Sequence, residues 1–337
     1  MLDPQTSSLL EAFGKMTADQ AAADGFGEIG ASRAYAAAVF KAFAGPDAYP
    51  DVVTEDIRVR GAEAMRAARS YRPAGSAAVA LPTVIFFHGG GWVMGDLDSY
   101  DGLMRALSSL SGARFVSIDY RLAPEHPFPA GLDDALAATR WIAANGTLLG
   151  VDPARLALMG DSAGGNLAAC VCQLAAMQDN PPIAGLYLLY PVIDATASHD
   201  AYPSRIAFGN GDYLLTRAAL DATRDLYLGT GKSSCDPRVS PLYSKDLARL
   251  PHTMILTAGH DPLRDEGRTY FDRLRAAGVD AEYRCFATTI HAFMSFGVLD
   301  VAHAARRALA KDIDRTLRVR STRQQRRPAG DDDGDDQ

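Results

Sequence analysis

The stretch RLALMGDSAGGNLAACVCQLAAM at residues 155–177 contains a glycine-rich turn, GDSAG, between two apolar segments. The segment before Gly160 predicts a strand that is buried on both faces, and the segment after Ala163 predicts a helix. Because Gly160 and Gly164 allow a sharp turn, we expect Ser162 to lie in a strained backbone conformation with its hydroxyl exposed. G-x-S-x-G between a strand and a helix is typical of a serine nucleophile, and the helix N-terminus favours developing negative charge. The alternative is a glycine-rich turn without a chemical role.

A second glycine-rich stretch, HGGGW at residues 88–92, directly follows the apolar run TVIFF. Acyl transfer creates an oxyanion, which needs hydrogen-bond donors that are already in place. Glycines leave backbone N–H groups unshielded, so we expect Gly89 and Gly90 to supply two donors and Ala163 a third. His88 is expected to hold this loop rather than to act as a base. The alternative is a phosphate-binding loop, but neither the GxGxxG spacing nor a following lysine is present.

A serine nucleophile needs a base, and the base needs an acid that orients it. Where this turn is catalytic, the chain order is serine, acid, histidine. His291 follows the last apolar run, where active-site loops of parallel sheets emerge, so we predict it as the base. Asp261 follows the run TMILTAG and is predicted as the acid, with His260 as a bystander. Asp265 and Glu266 are interpreted as first-turn acids of the next helix.

Outward from this centre, short apolar runs alternate with helical stretches, which indicates a parallel sheet between helices. The predicted strands lie at 83–87, 113–120, 155–160, 185–190, 253–259 and 281–286. The predicted helices lie at 99–111, 130–144, 163–177 and 265–277. A more extended pair of segments precedes them at 52–60 and 64–71.

Two regions depart from this alternation. The N-terminal segment is alanine-rich and predicts two helices with a break at Asp24, Gly25 and Gly27. The region 194–250 has a loose helical pattern without a clear strand, and we expect both regions to form a cap over the sheet. The end of the chain is basic and then acidic, a composition that cannot pack a core. The predicted division is cap helices at 1–45, a catalytic domain at 46–193 and 251–318, a cap insertion at 194–250 and a disordered tail at 319–337.

Large apolar side chains near these motifs and in the insertion are candidates for the wall of a substrate pocket. Ordinary core packing is an equally good interpretation of each one singly. The candidates are Trp92, Phe208, Tyr213, Leu214, Leu215 and Phe293.

Composition narrows the function class. The 337 residues are 47% hydrophobic and 22% charged, as in ordinary globular proteins. The net charge of −7 disfavours a nucleic-acid surface. The longest apolar run, 183–193, is shorter than the ~18 residues of a membrane span. The N-terminus has no pattern of a secretory signal, so we expect a cytoplasmic protein. The cysteines form no C-x-x-C pair and are expected to be free thiols: Cys170, Cys172, Cys235 and Cys285.

Together these motifs resemble the hormone-sensitive-lipase family of α/β-hydrolases, also called the bacterial family IV esterases. The match covers roughly residues 50–317. It rests on blocks that occur in the order of that family: HGGGW, DYRLAPEHPFPA, GDSAGGN, YP, DPLRDEG and HAF. One departure is Ala292, since family members commonly have glycine after the catalytic histidine.

The resemblance implies an α/β fold with an eight-stranded, mostly parallel sheet and a helical cap. It implies hydrolysis of small-molecule carboxylic esters, usually with short to medium acyl chains, without a metal or organic cofactor. It matches Ser162, Asp261 and His291 with the nucleophile, acid and base, and Gly89, Gly90 and Ala163 with the oxyanion hole. Many members of this branch pair as dimers through the catalytic domain, so a homodimer is expected.

The residues leave two other functions open. An amidase, peptidase or deacetylase could use the same triad, because the triad serves amides as well as esters. A non-catalytic binder could use the same scaffold, although such proteins lack a working base and this chain retains all three residues.

Overall fold

The computed structural model describes residues 1–23, 29–46, 49–76, 80–178, 181–229 and 235–324 of the chain. Its strands are β1 (Val52–Arg60), β2 (Met65–Pro73), β3 (Leu81–Phe87), β4 (Arg114–Ile118), β5 (Val151–Asp161), β6 (Gly185–Leu189), β7 (His252–His260) and β8 (Ala281–Ile290). They form one sheet in the order β1-β2-β4-β3-β5-β6-β7-β8. Strand β2 pairs antiparallel with β1 and with β4, and every other pair is parallel. The predicted eight-stranded, mostly parallel sheet is therefore confirmed.

Helices cover both faces of the sheet. They are α1 (Pro4–Ala23), α2 (Ile29–Phe43), α3 (Asp101–Ser111), α4 (Ala130–Ala144), α5 (Gly146–Leu149), α6 (Ala163–Gln178), α7 (Pro203–Phe208), α8 (Arg217–Leu228), α9 (Arg264–Ala276) and α10 (Asp300–Gln324). One apolar core joins a face of the sheet to α4 and α6 through side chains such as Leu132 and Leu167. The other core joins the opposite face to α3, α10 and α1 through Leu107, Leu309 and Phe13. Among the described helices, none has the length and apolar character needed to cross a membrane.

The largest differences between the observed and the sequence-based strand boundaries lie at the start of β5 and at the end of β8. β5 begins at Val151 rather than at residue 155, and β8 ends at Ile290 rather than at residue 286. In the described part of 194–250 there are helices and no strand, as the loose helical pattern predicts. The longer β8 delivers the chain directly to His291.

The ends of the chain modify the predicted domain division. Helix α10 continues to Gln324, so residues 319–324 are helical where a disordered tail is predicted. A basic composition does not exclude a helix, because arginine and glutamine favour helical structure. The remainder of the predicted tail, 325–337, lies outside the described residues. So does the predicted break at Asp24, Gly25 and Gly27.

The parallel strands bring the sequence motifs to one edge of the sheet. Because parallel strands all end on the same side, the loops after β3, β5, β7 and β8 emerge together. These loops begin with the HGGGW stretch, Ser162, Asp261 and His291 respectively. The fold thus assembles the candidate site from segments that are far apart in sequence.

Candidate active site

Three side chains at this edge form a hydrogen-bonded chain. His291 Nε2 lies 3.0 Å from Ser162 Oγ, and His291 Nδ1 lies 2.8 Å from Asp261 Oδ2. Asp261 is fully buried, and its Oδ1 accepts a hydrogen bond from the N–H of Leu263 at 2.8 Å. Because a carboxylate only accepts, His291 Nδ1 carries the proton and Nε2 offers a lone pair to the Ser162 hydroxyl. The structure thus brings together the three residues that the sequence analysis named.

The turn at Ser162 has the strained geometry that the GDSAG pattern predicts. Ser162 has φ +52°, in the left-handed region, and its N–H donates to Leu189 O at 2.8 Å. A Cβ on Gly164 would lie 2.0 Å from Phe87 O, and one on Gly160 would lie 2.1 Å from Gly164 O. Both glycines are therefore required by close backbone approaches. Ser162 is only 9% exposed, so its hydroxyl lies in the wall of a cavity rather than on the open surface.

Replacing Gly164 with alanine is expected to destabilise the protein by about 3 kcal/mol, because β3 backbone atoms must move to admit the methyl group. Urea unfolding of the variant and the wild type measures this difference. The matched control is Gly30→Ala in α2, where a Cβ has no neighbour within 4 Å. We expect that control to be unchanged or slightly more stable. Equal effects of the two substitutions would contradict a steric requirement at Gly164.

The hydrogen bonds of the glycine loop rule out Gly89, one of the predicted oxyanion donors. The N–H of Gly89 donates to Asp161 Oδ1 at 2.6 Å, so its single hydrogen is not available to an oxyanion. Gly90 and Gly91 instead line the cavity beside Ser162, with φ +109° and +63°. Within the described ranges, neither of their amides donates to another residue. Gly91 therefore replaces Gly89 as a candidate donor.

Ala163 keeps its candidate role. It is the first residue of α6, so its N–H has no partner within the helix and extends from the same turn that holds Ser162. The three candidate donors are thus the amides of Gly90, Gly91 and Ala163.

Asp161 supports this loop in a way that the sequence analysis missed. Its carboxyl group is fully buried; Oδ1 accepts from Gly89, and Oδ2 accepts from the Tyr100 hydroxyl at 3.1 Å. Burial raises the pKa of Asp161 to about 7, although the hydrogen bonds from Tyr100 and Gly89 act in the opposite direction. The buried carboxyl group of the residue before the serine therefore fixes the glycine loop against the serine turn through a hydrogen bond.

Protonation of Asp161 stabilises the folded state relative to the unfolded chain. Its folded pKa of about 7 lies above the ordinary value of 3.8, so between these values the folded state holds a proton that the unfolded chain has released. Stability therefore falls as pH rises from 4 to 7, by at most about 4 kcal/mol. In Asp161→Asn this contribution is absent, so we expect the melting temperature of the variant relative to wild type to rise across that range. Thermal unfolding of both proteins at half-unit pH steps tests this expectation. A constant difference between their melting temperatures from pH 4 to 7 would contradict it.

His88 is fully buried beneath the same loop. Its Nδ1 lies 2.9 Å from Gly89 O, and its ring stacks on Tyr120 at 4.5 Å. Since a carbonyl only accepts, Nδ1 carries the proton, and burial lowers the pKa of His88. These contacts agree with the expected structural role.

A cavity of about 430 Å³ lies above Ser162 and His291. Of the predicted pocket residues, Trp92, Leu214 and Leu215 line it. Part of the remaining apolar wall comes from the N-terminal helices, whose side chains were predicted as cap but not as pocket: Phe13, Tyr35, Val39 and Phe40. The opening is thus enclosed by segments from both predicted cap regions.

Three predicted pocket residues lie elsewhere. Phe208 and Tyr213 pack against His260, each with ring centroids 5.3 Å from the imidazole. Phe293 is fully buried and packs against Tyr190 and Phe286 beneath the site. Phe293 belongs to the core, whereas Phe208 and Tyr213 are half-buried around His260, outside the cavity that contains Ser162.

Asp265 and Glu266 lie in the first turn of α9, as predicted, and both also bind groups outside that helix. Glu266 is fully buried, its Oε1 accepts from the N–H of Ile193 at 2.7 Å, and its Oε2 accepts from Arg205 Nε at 3.1 Å. Asp265 accepts from the N–H of Ser204 at 2.8 Å. The two acids tie the start of the insertion and α7 to α9.

Ala292 adopts φ +62°, a conformation that favours glycine. The departure from the family pattern therefore places a strained residue directly after His291 without displacing the histidine.

A group with metal-ligating atoms lies at the opposite edge of the sheet and consists of His252, Glu282 and Asp312. Arg315 contacts both carboxylates, and His252 Nε2 lies 2.8 Å from Asp312. These charges compensate one another, so the group is an ion-pair network rather than a metal site.

Comparison with known proteins agrees with this geometry. A family profile described as alpha/beta hydrolase fold matches residues 84–295. The carboxylic ester hydrolase LipN of Mycobacterium tuberculosis is 41% identical over 310 residues, covering 90% of this chain and 80% of that protein. Carboxylesterase NlhH of the same organism is 42% identical over 237 residues, covering 68% and 72%. A solved Pyrobaculum calidifontis esterase is 33% identical with a TM-score of 0.86, covering 94% and 99%.

Proposed function

Because this chain belongs to the hormone-sensitive-lipase-like esterases of the α/β-hydrolase superfamily and is a carboxylesterase-type hydrolase, we propose that it cleaves esters of short- to medium-chain acids through an acyl-enzyme on Ser162. The observation that carries the proposal is the hydrogen-bonded chain of Ser162, His291 and Asp261 at the wall of a largely apolar cavity. The names of the relatives favour esters over amides, which the same triad could also cleave.

In the proposed first step, His291 Nε2 takes the proton of Ser162 as Oγ attacks the ester carbonyl. Asp261 holds the imidazole in the required tautomer and stabilises the imidazolium that forms. The imidazolium then donates its proton to the departing alcohol, and the acyl group remains on Ser162. A water molecule repeats the sequence on the acyl-enzyme and releases the acid.

The negative charge that develops on the carbonyl oxygen is assigned to the amides of Gly90, Gly91 and Ala163. Each donor in such a hole contributes about 3 kcal/mol to the transition state. Asp161 keeps Gly89 out of this set and fixes the loop, so the donors are held in place before the substrate arrives. The hole therefore costs little reorganisation during the reaction.

We assign α1, α2 and residues 194–250 to a cap that encloses the acyl chain. Support comes from the cavity wall, which combines Tyr35 and Val39 of α2 with Leu215 and Leu220 near α8. A pocket of about 430 Å³ lies near the lower end of the range for small-molecule sites, which favours shorter acyl chains.

Hydrolysis of p-nitrophenyl esters from acetate to palmitate tests both the activity and the size of the pocket. We expect kcat/KM to be highest for short to medium chains. Leu215→Trp is expected to lower kcat/KM for octanoate about tenfold more than for acetate, because the larger ring shortens the acyl site.

The matched control is Leu110→Trp, because Leu110 is 41% exposed and does not line the cavity. It should leave the chain-length profile unchanged. A profile that moves equally in both variants, or in neither, would contradict the assignment of Leu215. Faster turnover of matched p-nitroanilides than of the esters would instead favour an amidase.

A further inference from the structure

A second cavity, of about 600 Å³, lies at the edge of the sheet opposite to Ser162. Its wall includes Arg114 and Val151, the first residues of β4 and β5, whereas the candidate active site follows the last residues of the parallel strands. The two cavities share no lining residue. A ligand in the second cavity would therefore not contact the triad.

Two arginines face each other across neighbouring strands in this cavity. Tyr71 of β2 pairs with Phe115 of β4, and the next step of this antiparallel register places Arg72 opposite Arg114. Both arginines line the cavity. Like charges that lie directly opposite on a sheet repel one another, so this pair is unfavourable unless an anion compensates it.

Arg114 is an incompletely paired buried cation. The residue is 7% exposed, and the one hydrogen bond that its side chain forms with a described residue runs from Nη1 to Ser70 Oγ at 2.6 Å. Its Nε is buried without a hydrogen-bond partner. Burial and the charge of Arg72 both lower the pKa of Arg114.

The nearby acids do not neutralise the pair. Among the described residues, no carboxylate oxygen lies within 4 Å of either guanidinium; Glu55, in the cavity wall, acts on Arg114 only at longer range. Asp152, the other acid in the wall, forms an ion pair with Arg155. Both guanidinium groups therefore have N–H donors that no carboxylate of the described residues accepts from.

We propose that this cavity binds a phosphate group between Arg72 and Arg114. A carboxylate can be satisfied by one guanidinium fork, whereas the terminal oxygens of a phosphate can accept from two forks at once. Ser70 orients Arg114 from one side, and the hydroxyl of Thr147 in the wall offers a further donor. Apolar wall residues such as Ile57 and Leu149 leave room for an organic substituent on the phosphate.

Thermal unfolding at constant ionic strength tests the site with 10 mM phenyl phosphate, inorganic phosphate or benzoate. We expect phenyl phosphate to raise the melting temperature of the wild type by about 2 °C or more. A larger response to phenyl phosphate than to inorganic phosphate assigns the site to a phosphate monoester, and an equal response assigns it to free phosphate. No response to either, or an equal response to benzoate, would overturn the proposal.

Arg114→Met and Arg72→Gln should abolish the response. Without ligand, Arg114→Met is expected to be as stable as the wild type, because an apolar side chain of similar length removes a buried unpaired charge. Arg72→Gln, at a position that is only partly buried, tests the same site if the first variant folds poorly. The control is Arg58→Met, an exposed arginine of β1 outside the cavity. Retention of the response in both cavity variants would contradict the assignment.

Discussion

Replacing Ser162 with alanine is expected to lower kcat for ester hydrolysis by about 10⁵-fold or more. The hydroxyl at 3.0 Å from His291 Nε2 is the only nucleophile assigned in the proposed mechanism, and the methyl group of alanine cannot form an acyl-enzyme. Substrate should still bind, because the cavity wall and the three oxyanion donors remain. Initial rates with p-nitrophenyl butyrate measure the loss of kcat. Displacement of a bound inhibitor by substrate measures whether binding is retained.

The control for this variant is Ser108→Ala. Ser108 is a buried serine of α3 whose hydroxyl donates to Ala113 O at 3.0 Å, remote from the cavity. Its loss should change stability by about 1 kcal/mol and leave kcat within a factor of two. Retention of more than a hundredth of the activity in Ser162→Ala, with the protein folded, would exclude Ser162 as the nucleophile.

The second large effect is expected for Asp261→Asn, which should lower kcat about 10⁴-fold at neutral pH. The amide would donate toward His291 Nδ1, where the carboxylate accepts at 2.8 Å in the wild type. The imidazole would then carry its proton on Nε2 and could no longer accept the proton of Ser162. Because the side chains are nearly equal in volume, the fold should be retained.

Asp265→Asn is the matched control for the acid. Asp265 lies in the same segment but accepts from Ser204 rather than from a histidine. We expect less than a tenfold loss of kcat in this variant. A greater loss at Asp265 than at Asp261 would show that the acid has been assigned to the wrong carboxylate. A pH–rate profile from 5 to 9 for each variant separates a change in the base from a loss of stability.

The sheet could be predicted because its strands are short apolar runs between helices. The runs at β3 and β6 are buried on both faces, so hydrophobicity alone marks them. Boundaries were less predictable where polar residues continue a strand. β5 starts four residues before its apolar run, at Val151, which pairs with Leu81 of β3. β8 continues to Ile290, which pairs with His260 of β7 after a register shift.

The hydrogen-bonded group of Ser162, Asp261 and His291, which we propose as the triad, could be predicted because each member directly follows a strand. The sequence could not predict which glycines of the loop donate to the oxyanion, because the amides of three consecutive glycines are equivalent in the sequence. Only the structure shows that the amide of Gly89 donates to Asp161. The signal for Asp161 was a carboxylate between two apolar segments, where a buried charge needs donors. Phe208 and Tyr213 have the composition of a pocket wall, but only the path of the chain places them around His260.

Covalent labelling of the intact enzyme with a fluorophosphonate, followed by mass mapping of the peptide that carries it, tests the central proposal most directly. We predict one adduct per chain, on Ser162, and loss of esterase activity in proportion to labelling. An adduct on another residue, or full hydrolysis by a chain that is completely labelled on Ser162, would contradict the acyl-enzyme mechanism.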